Sequence, residues 1–178
     1  MDLTEKTLSK KYIFNGKIIN LRVDEALLPN GATANREVVE HPGGVCIAPL
    51  TKNNELIFVK QFRYPYSEVV LELPAGKLEY SENPLIAGKR ELKEETGANA
   101  KKYSDLGKLY PTPGYCSEII HMYLAEDLDF GSQDLDEDEF LEVEKIPLEE
   151  AFKMVMRNEI RDSKTQVGIM KVYYLKNS

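Results

Sequence analysis

A 23-residue segment places a capped helix inside a chain that otherwise has the pattern of β-strands. The segment reads GKLEYSENPLIAGKRELKEETGA and covers residues 76–98. Asn83 is a favourable N-cap, Pro84 suits the first helical position, and Gly97 suits the residue just past the helix. The sequence therefore predicts a helix of about a dozen residues over 84–96.

Segments on both sides of this helix are predicted to be strands. The runs VCIAPL and ELIFVKQF are apolar and β-branched, and EVVLELPAG follows them. Further strands are expected in YSDLGKLYP, EIIHMYLAEDL and EFLEVEKI. A second helix is expected in PLEEAFKMVMRNE, starting at Pro147, and a third in SKTQVGIMKVYYLKN. Strands with interspersed helices indicate an α/β or α+β fold, in which helices cover the faces of a sheet.

The first forty residues contain two hairpin signals. Asn15-Gly16 and Pro29–Gly31 separate alternating segments such as KYIF and KIINLRV, which is typical of antiparallel strands. We expect an N-terminal antiparallel β ribbon over residues 1–42 and a second domain over residues 43–178.

Charge and composition exclude several classes of partner. The net charge is -7 and no Lys/Arg run is present, so nucleic acid, which needs a basic face, is not an expected partner. The chain has neither a signal-peptide pattern nor a run of about 18 apolar residues. Cys46 and Cys116 lack the spacing of a metal site. We expect a cytoplasmic protein with reduced thiols and no membrane partner.

Three glutamates of the predicted helix, Glu91, Glu94 and Glu95, project within about 100° of one another. Like charges at these spacings oppose helix formation, and these also lie near the negative end of the helix dipole. A solvated charged face is the ordinary explanation. A metal site is the alternative, because Mg²⁺ is typically bound by one or two carboxylates with phosphate oxygens and water.

The same segment resembles the Nudix box, G-x5-E-x7-R-E-U-x-E-E-x-G-U, in which U is aliphatic. Every specified position is filled, by Gly76, Glu82, Arg90, Glu91, Leu92, Glu94, Glu95, Gly97 and Ala98. The resemblance implies a Nudix fold, a mixed β-sheet sandwiched between helices. It also implies hydrolysis of a nucleoside diphosphate linked to another moiety.

The resemblance assigns roles at a site for Mg²⁺ or Mn²⁺. Glu91 and Glu95 would be the principal metal ligands, and Glu94 an additional or water-mediated ligand. The carbonyl oxygen of Ala75 would be a backbone ligand. Arg90 would orient the acidic side chains.

Segments outside the box resemble the ADP-ribose pyrophosphatase subgroup. Pro113 lies fifteen residues beyond Ala98, and similarity extends to REVVEHPGGV, VKQFRYP, LELPAGKLE and DEDEFLEVE. The subgroup implies hydrolysis of ADP-ribose to AMP and ribose 5-phosphate by a homodimer in which the N-terminal ribbon reaches the partner. Two alternatives stay open: a hydrolase of another nucleoside diphosphate sugar, such as GDP-mannose, and a non-catalytic nucleotide sensor.

Four residues are candidates for substrate binding. Arg63 is suited to bidentate binding of a diphosphate, with a surface cation or a structural ion pair as the alternative role. Arg36 is a weaker candidate for the same ligand. Pro113 and Gly114 are the other two, with a simple turn as the alternative.

Two catalytic candidates lie in the acidic loop DFGSQDLDED and at the residue that follows it. Glu139 matches the family position of a metal ligand or general base, and Glu137 is a second candidate for that work. A solvated acidic loop is the alternative for both.

Overall fold

The computed structural model describes residues 2–135 and 139–178. These residues form a mixed α/β structure of ten strands and three α-helices. The strands are β1 (Lys6–Asn15), β2 (Asn20–Leu27), β3 (Thr33–Glu40), β4 (Gly44–Pro49), β5 (Glu55–Arg63), β6 (Glu68–Glu72), β7 (Ala75–Lys77), β8 (Ala98–Leu109), β9 (Ile120–Phe130) and β10 (Leu141–Pro147). The helices are α1 (Pro84–Thr96), α2 (Leu148–Met156) and α3 (Ser163–Asn177).

The chain divides into two compact units. The first contains the residues up to Gly43 together with Tyr110–Ile119, and the second contains Gly44–Leu109 and Ile120–Ser178. Among the described residues, every helix is too short or too polar to span a lipid bilayer.

The first unit is built on an antiparallel sheet in the order β1-β2-β3. The prediction of an N-terminal antiparallel ribbon is therefore confirmed. The connection between β1 and β2 is longer than a two-residue turn, because β1 ends at Asn15 and β2 begins at Asn20. The Gly16 N–H donates to the Ile19 carbonyl oxygen at 2.9 Å and closes this four-residue loop. The predicted segment KIINLRV thus starts as a loop.

Two sheets form the second unit. One is antiparallel in the order β10-β5-β6, and the other has the order β7-β4-β9-β8. The second sheet is mixed, because β4 runs parallel to β9 while the other pairs are antiparallel. Strand β4 is buried along its whole length, as expected for a strand covered on both faces.

Helices cover both faces of the mixed sheet. Since side chains alternate along a strand, Val45 and Ile47 point to one face and pack with Ala87 and Leu92 of α1. Their neighbours on β4 pack on the other face with residues of α2 and α3, among them Ala151, Ile169 and Val172. This arrangement confirms the predicted sheet sandwiched between helices.

The largest differences from the predicted boundaries are at the end of α2 and at the start of β8. Helix α2 ends at Met156 rather than at Glu159, because Asn158 has a φ of 60°, which lies in the left-handed region and ends a helix. Strand β8 begins at Ala98, five residues before the predicted segment. The added residues, ANAKK, have weak strand propensity, and their pairing with β9 makes them a strand.

Gly88 of α1 sits directly against β4. A Cβ atom there would lie 2.5 Å from Ile47 Cδ1 and 3.0 Å from Val45 Cγ2, both in the core. We expect Gly88→Ala to lower the free energy of unfolding by about 1 kcal/mol, because overpacking outweighs the gain in helix propensity. Urea denaturation measures the change. Ile86→Ala on the exposed side of α1 is the control, and a Gly88→Ala variant more stable than wild type would contradict the packing.

Candidate active site

The ends of helix α1 are fixed by local caps, as predicted. The Asn83 side chain accepts hydrogen bonds from the N–H groups of Leu85, at 2.9 Å, and Ile86, at 3.4 Å. Gly97 has a φ of 68°, and its N–H donates to the Lys93 carbonyl oxygen. These caps set where the helix starts and stops, and so fix which faces its glutamates occupy.

Packing of α1 carries two of its carboxylates into the protein. Leu92 is fully buried against the mixed sheet, and its neighbours Glu91 and Glu95 are only 8% and 2% exposed. Glu94 remains partly exposed. A solvated charged face, the ordinary explanation for such a cluster, therefore does not describe Glu91 and Glu95.

Glu95 is held by the backbone of β7. The Ala75 N–H donates to Glu95 Oε2 at 3.0 Å. Burial raises the pKa of Glu95 to about 8, although the Ala75 bond opposes the shift, and the charges of Glu91 and Glu139 raise it further. A carboxylate in such surroundings is stabilised by a cation.

Glu91 lies against Gly76, the first residue of the box. A Cβ atom at position 76 would lie 2.0 Å from the carboxyl carbon of Glu91, so only glycine leaves room for this side chain. Burial raises the pKa of Glu91 to about 6, and the adjacent Arg90 opposes the shift.

Arg90 contacts three acidic side chains of the box. It lies 3.2 Å from Glu82 Oε1, 2.9 Å from Glu91 Oε1 and 2.9 Å from Glu94 Oε2. The Glu82 carboxylate also accepts a hydrogen bond from the Glu79 N–H, which fixes the loop before the helix. This geometry matches the expected role of Arg90 in orienting the acids.

The loop after β9 is attached to the C-terminal end of α1. Gln133 Nε2 donates to the Glu95 carbonyl oxygen at 2.5 Å, and the Asp134 N–H donates to the Glu94 carbonyl oxygen at 3.1 Å. These bonds satisfy carbonyl groups that a helix leaves unpaired at its end. They also bring Gln133 and Asp134 beside the glutamates.

Glu139 follows that loop and is partly buried. Its charge contributes to the raised pKa of both Glu91 and Glu95, so Glu139 lies within electrostatic range of these two carboxylates. Glu137, the other candidate, lies outside the described residues.

The donor set fits a hard divalent cation. Glu91 and Glu95 are buried carboxylates with raised pKa values, and oxygen ligands of this kind suit Mg²⁺ and Mn²⁺. Within residues 2–135 and 139–178, no three His, Cys, Asp or Glu side chains are already gathered as a metal-binding group. Arg90 contacts two of the candidate ligands, Glu91 and Glu94. The metal-ligand assignments of Glu91, Glu94, Glu95 and Ala75 stay predictions.

Arg63 makes the structural ion pair that was its alternative role. At the end of β5, its Nε and Nη2 donate to Oε1 and Oε2 of Glu72 at 2.6 and 2.7 Å. Lys164 of α3 contacts the same carboxylate. Sequence reasoning missed Glu72 and Lys164. The only signal was a glutamate within the apolar strand segment EVVLELPAG.

Arg36, Pro113 and Gly114 belong to the first unit. Arg36 lies on β3, and its Nε and Nη2 donate to the Glu5 carboxylate at 2.9 and 2.6 Å. Pro113 and Gly114 lie in a turn closed by the Cys116 N–H, which donates to the Thr112 carbonyl oxygen at 3.0 Å. Their assignment to substrate binding stays a prediction.

Known proteins match this sequence and its fold along nearly the whole chain. It is 46% identical over 169 residues to an ADP-ribose pyrophosphatase of Bacillus subtilis (strain 168), covering 94% of this chain and 91% of that protein. It is 40% identical to a methanol dehydrogenase activator of Bacillus methanolicus, with 93% and 90% covered. A crystal structure of an ADP compounds hydrolase shares the fold, with a TM-score of 0.86 at 23% identity over 99% of this chain and 97% of that one.

Two family models match adjacent parts of the sequence. The first, described as a nucleoside diphosphate sugar hydrolase N-terminal domain, matches residues 5–39. The second, described as a NUDIX domain, matches residues 40–166 and includes every glutamate of α1 and the acidic loop. With its complete box on a capped helix against a mixed sheet, the chain belongs to the Nudix family.

Proposed function

We propose that this chain hydrolyses the diphosphate bond of ADP-ribose in the cytoplasm, giving AMP and ribose 5-phosphate. The observation that carries the proposal is the buried pair of carboxylates, Glu91 and Glu95, which a bound cation would stabilise. The pair occurs in a Nudix chain that is 46% identical to an ADP-ribose pyrophosphatase. The two free cysteines are compatible with a reducing compartment.

The site would hold Mg²⁺ or Mn²⁺ through Glu91 and Glu95, with Glu94 and the Ala75 carbonyl oxygen as further ligands. When bound, such an ion polarises phosphoryl oxygens and lowers the pKa of water. Arg90 keeps the carboxylates of Glu91 and Glu94 in place.

Proton transfer is assigned to the acidic loop. The charge of Glu139 affects both Glu91 and Glu95, which supports Glu139 as the group that would accept the proton of the attacking water. Glu137 is the second candidate for this base. Arg63, Arg36, Pro113 and Gly114 are proposed to contact the substrate, with the two arginines binding the diphosphate.

A panel of nucleotides tests the substrate. The purified protein is incubated with Mg²⁺ and ADP-ribose, GDP-mannose or NAD, and the released mononucleotide is quantified. We expect kcat/KM to be highest for ADP-ribose. Faster turnover of GDP-mannose would favour the alternative hydrolase, and tight binding of ADP-ribose without turnover would favour a sensor.

The N-terminal ribbon, residues 1–42, is proposed as a dimerisation element for a hydrolase domain over residues 43–178. All ten residues of β1 are exposed, including the large apolar side chains of Leu8, Tyr12, Ile13 and Phe14. An exposed apolar strand of this length favours an interface with a second chain.

Ile13 and Phe14 provide the test of this interface. We expect wild type to have the mass of a dimer and the double variant Ile13→Ser, Phe14→Ser to have the mass of a monomer, because apolar area no longer drives association. Light scattering after size-exclusion chromatography measures both. Lys10→Ser with Lys11→Ser is the control on the same strand. A monomeric, fully active wild type would contradict the assignment.

A further inference from the structure

A buried ion-pair network connects β5, β6 and the first turn of α3. The Glu72 carboxylate is 2% exposed and accepts hydrogen bonds from Nε and Nη2 of Arg63. Lys164 Nζ donates to the same carboxylate and lies 3.0 Å from Asp162 Oδ1. The network thus places two cations and two carboxylates in close contact.

Lys164 and Glu72 stay charged despite their burial. Burial lowers the pKa of Lys164, but Asp162 and Glu72 more than offset it, so the pKa lies above its usual value. Burial raises the pKa of Glu72, but Arg63 and Lys164 more than offset that effect. A buried ionic network of this kind is often no more stable than an apolar replacement, so stability alone does not account for it.

The network fixes one edge of the Arg63 guanidinium and leaves the other edge unused. Nε and Nη2 bind Glu72, while Nη1 has no hydrogen-bond partner within the described part of the chain. The Arg63 side chain is 37% exposed. A planar guanidinium has five N–H donors, so Arg63 retains donors in a fixed direction for an anionic group.

The backbone next to Glu72 leads directly to the glutamate site. The Leu73 N–H donates to Thr165 Oγ1 at 2.9 Å, and Asp162 caps α3 by accepting from the Thr165 N–H at 2.9 Å. The Ala75 N–H donates to Glu95 Oε2. The segment from Glu72 to Ala75 is therefore held by α3 at one end and by α1 at the other.

We propose that Lys164 and Glu72 are positioning residues that hold Arg63 with its unused edge toward the diphosphate of the substrate. Glu72 sets the direction of the guanidinium. Lys164 holds Glu72 in place and offsets its negative charge, so that the charge of Arg63 remains effective toward an anion. The inference rests on the proposed function, because that function supplies the diphosphate that Arg63 would bind.

Lys164 variants separate positioning from stability. We expect Lys164→Met to raise KM for ADP-ribose about 10-fold with little change in kcat, and Lys164→Arg to restore most of the loss. In an Arg63→Lys background, Lys164→Met should add little, because its effect passes through Arg63. Lys171→Met is the control, since Lys171 lies on the same helix but donates to the Leu106 carbonyl oxygen.

Binding and melting measurements complete the test. We expect Lys164→Met, and Glu72→Gln if Lys164→Met fails to fold, to bind inorganic pyrophosphate with Mg²⁺ about 10-fold more weakly in calorimetry. A variant with a lower melting temperature but wild-type KM and pyrophosphate affinity would overturn the inference. If wild type binds pyrophosphate but does not cleave ADP-ribose, the proposed function fails. The difference in pyrophosphate affinity between wild type and Lys164→Met still decides whether Lys164 positions Arg63.

Discussion

Glu95→Gln is expected to lower kcat for metal-dependent hydrolysis of ADP-ribose by about 1000-fold, equivalent to about 4 kcal/mol of transition-state stabilisation. The amide keeps the shape of the side chain and its oxygen can still accept the Ala75 N–H. It removes the negative charge that would bind the cation. Steady-state release of AMP under saturating Mg²⁺ measures the loss.

The stability of the same variant gives an independent result. Glu95 is buried beside the charges of Glu91 and Glu139, and a buried carboxylate near other carboxylates costs free energy that an amide does not. In the absence of metal, we expect Glu95→Gln to unfold at the same or a higher urea concentration than wild type. Glu142→Gln on the exposed side of β10 is the matched control for both measurements. A Glu95→Gln rate within about threefold of wild type would remove Glu95 from the metal site.

Gly76→Ala is expected to lower kcat/KM by about 100-fold without unfolding the protein. The new Cβ atom would lie 2.0 Å from the Glu91 carboxyl carbon, whereas carbon atoms in contact lie about 3.5–4 Å apart. The carboxylate therefore has to move by more than about 1 Å, a displacement that can cost about 100-fold in rate. Kinetics at several Mg²⁺ concentrations measure both the rate and the apparent metal affinity.

The control for this substitution is Gly131→Ala. A Cβ atom there would come no closer than 3.7 Å to the Gly97 carbonyl oxygen, so activity should remain within about twofold of wild type. If Gly76→Ala retained wild-type kcat/KM and metal affinity, the position of Glu91 against the β7 backbone would not matter for catalysis.

The features that were predicted correctly depend on residues close together in the sequence. The bounds of α1 agree with the prediction at both ends, since Asn83, Pro84 and Gly97 act on their own neighbours. The contacts of Arg90 with the box glutamates also lie within one helix and its preceding loop. Such interactions depend on short sequence separations, and a pattern of residues is sufficient to indicate them.

Interactions between distant segments were not visible in the sequence. Lys164 contacts Glu72 across 92 residues, and no local pattern marks either of them as a partner of Arg63. Tyr110–Ile119 groups with the N-terminal strands, and a parallel bridge between Val39 and Cys116 is one of the contacts that join them. The early start of β8 likewise depends on its pairing with β9, because tertiary contacts override the weak strand propensity of ANAKK.

Metal-dependent hydrolysis is tested by the formation of AMP from ADP-ribose by the purified wild-type protein, with excess Mg²⁺ and, in parallel, with EDTA. We expect equal amounts of AMP and ribose 5-phosphate with Mg²⁺ and loss of nearly all turnover with EDTA, restored when Mg²⁺ or Mn²⁺ is added back. Turnover that is unchanged by EDTA, or no AMP at any metal concentration, would contradict metal-dependent hydrolysis of ADP-ribose by this protein.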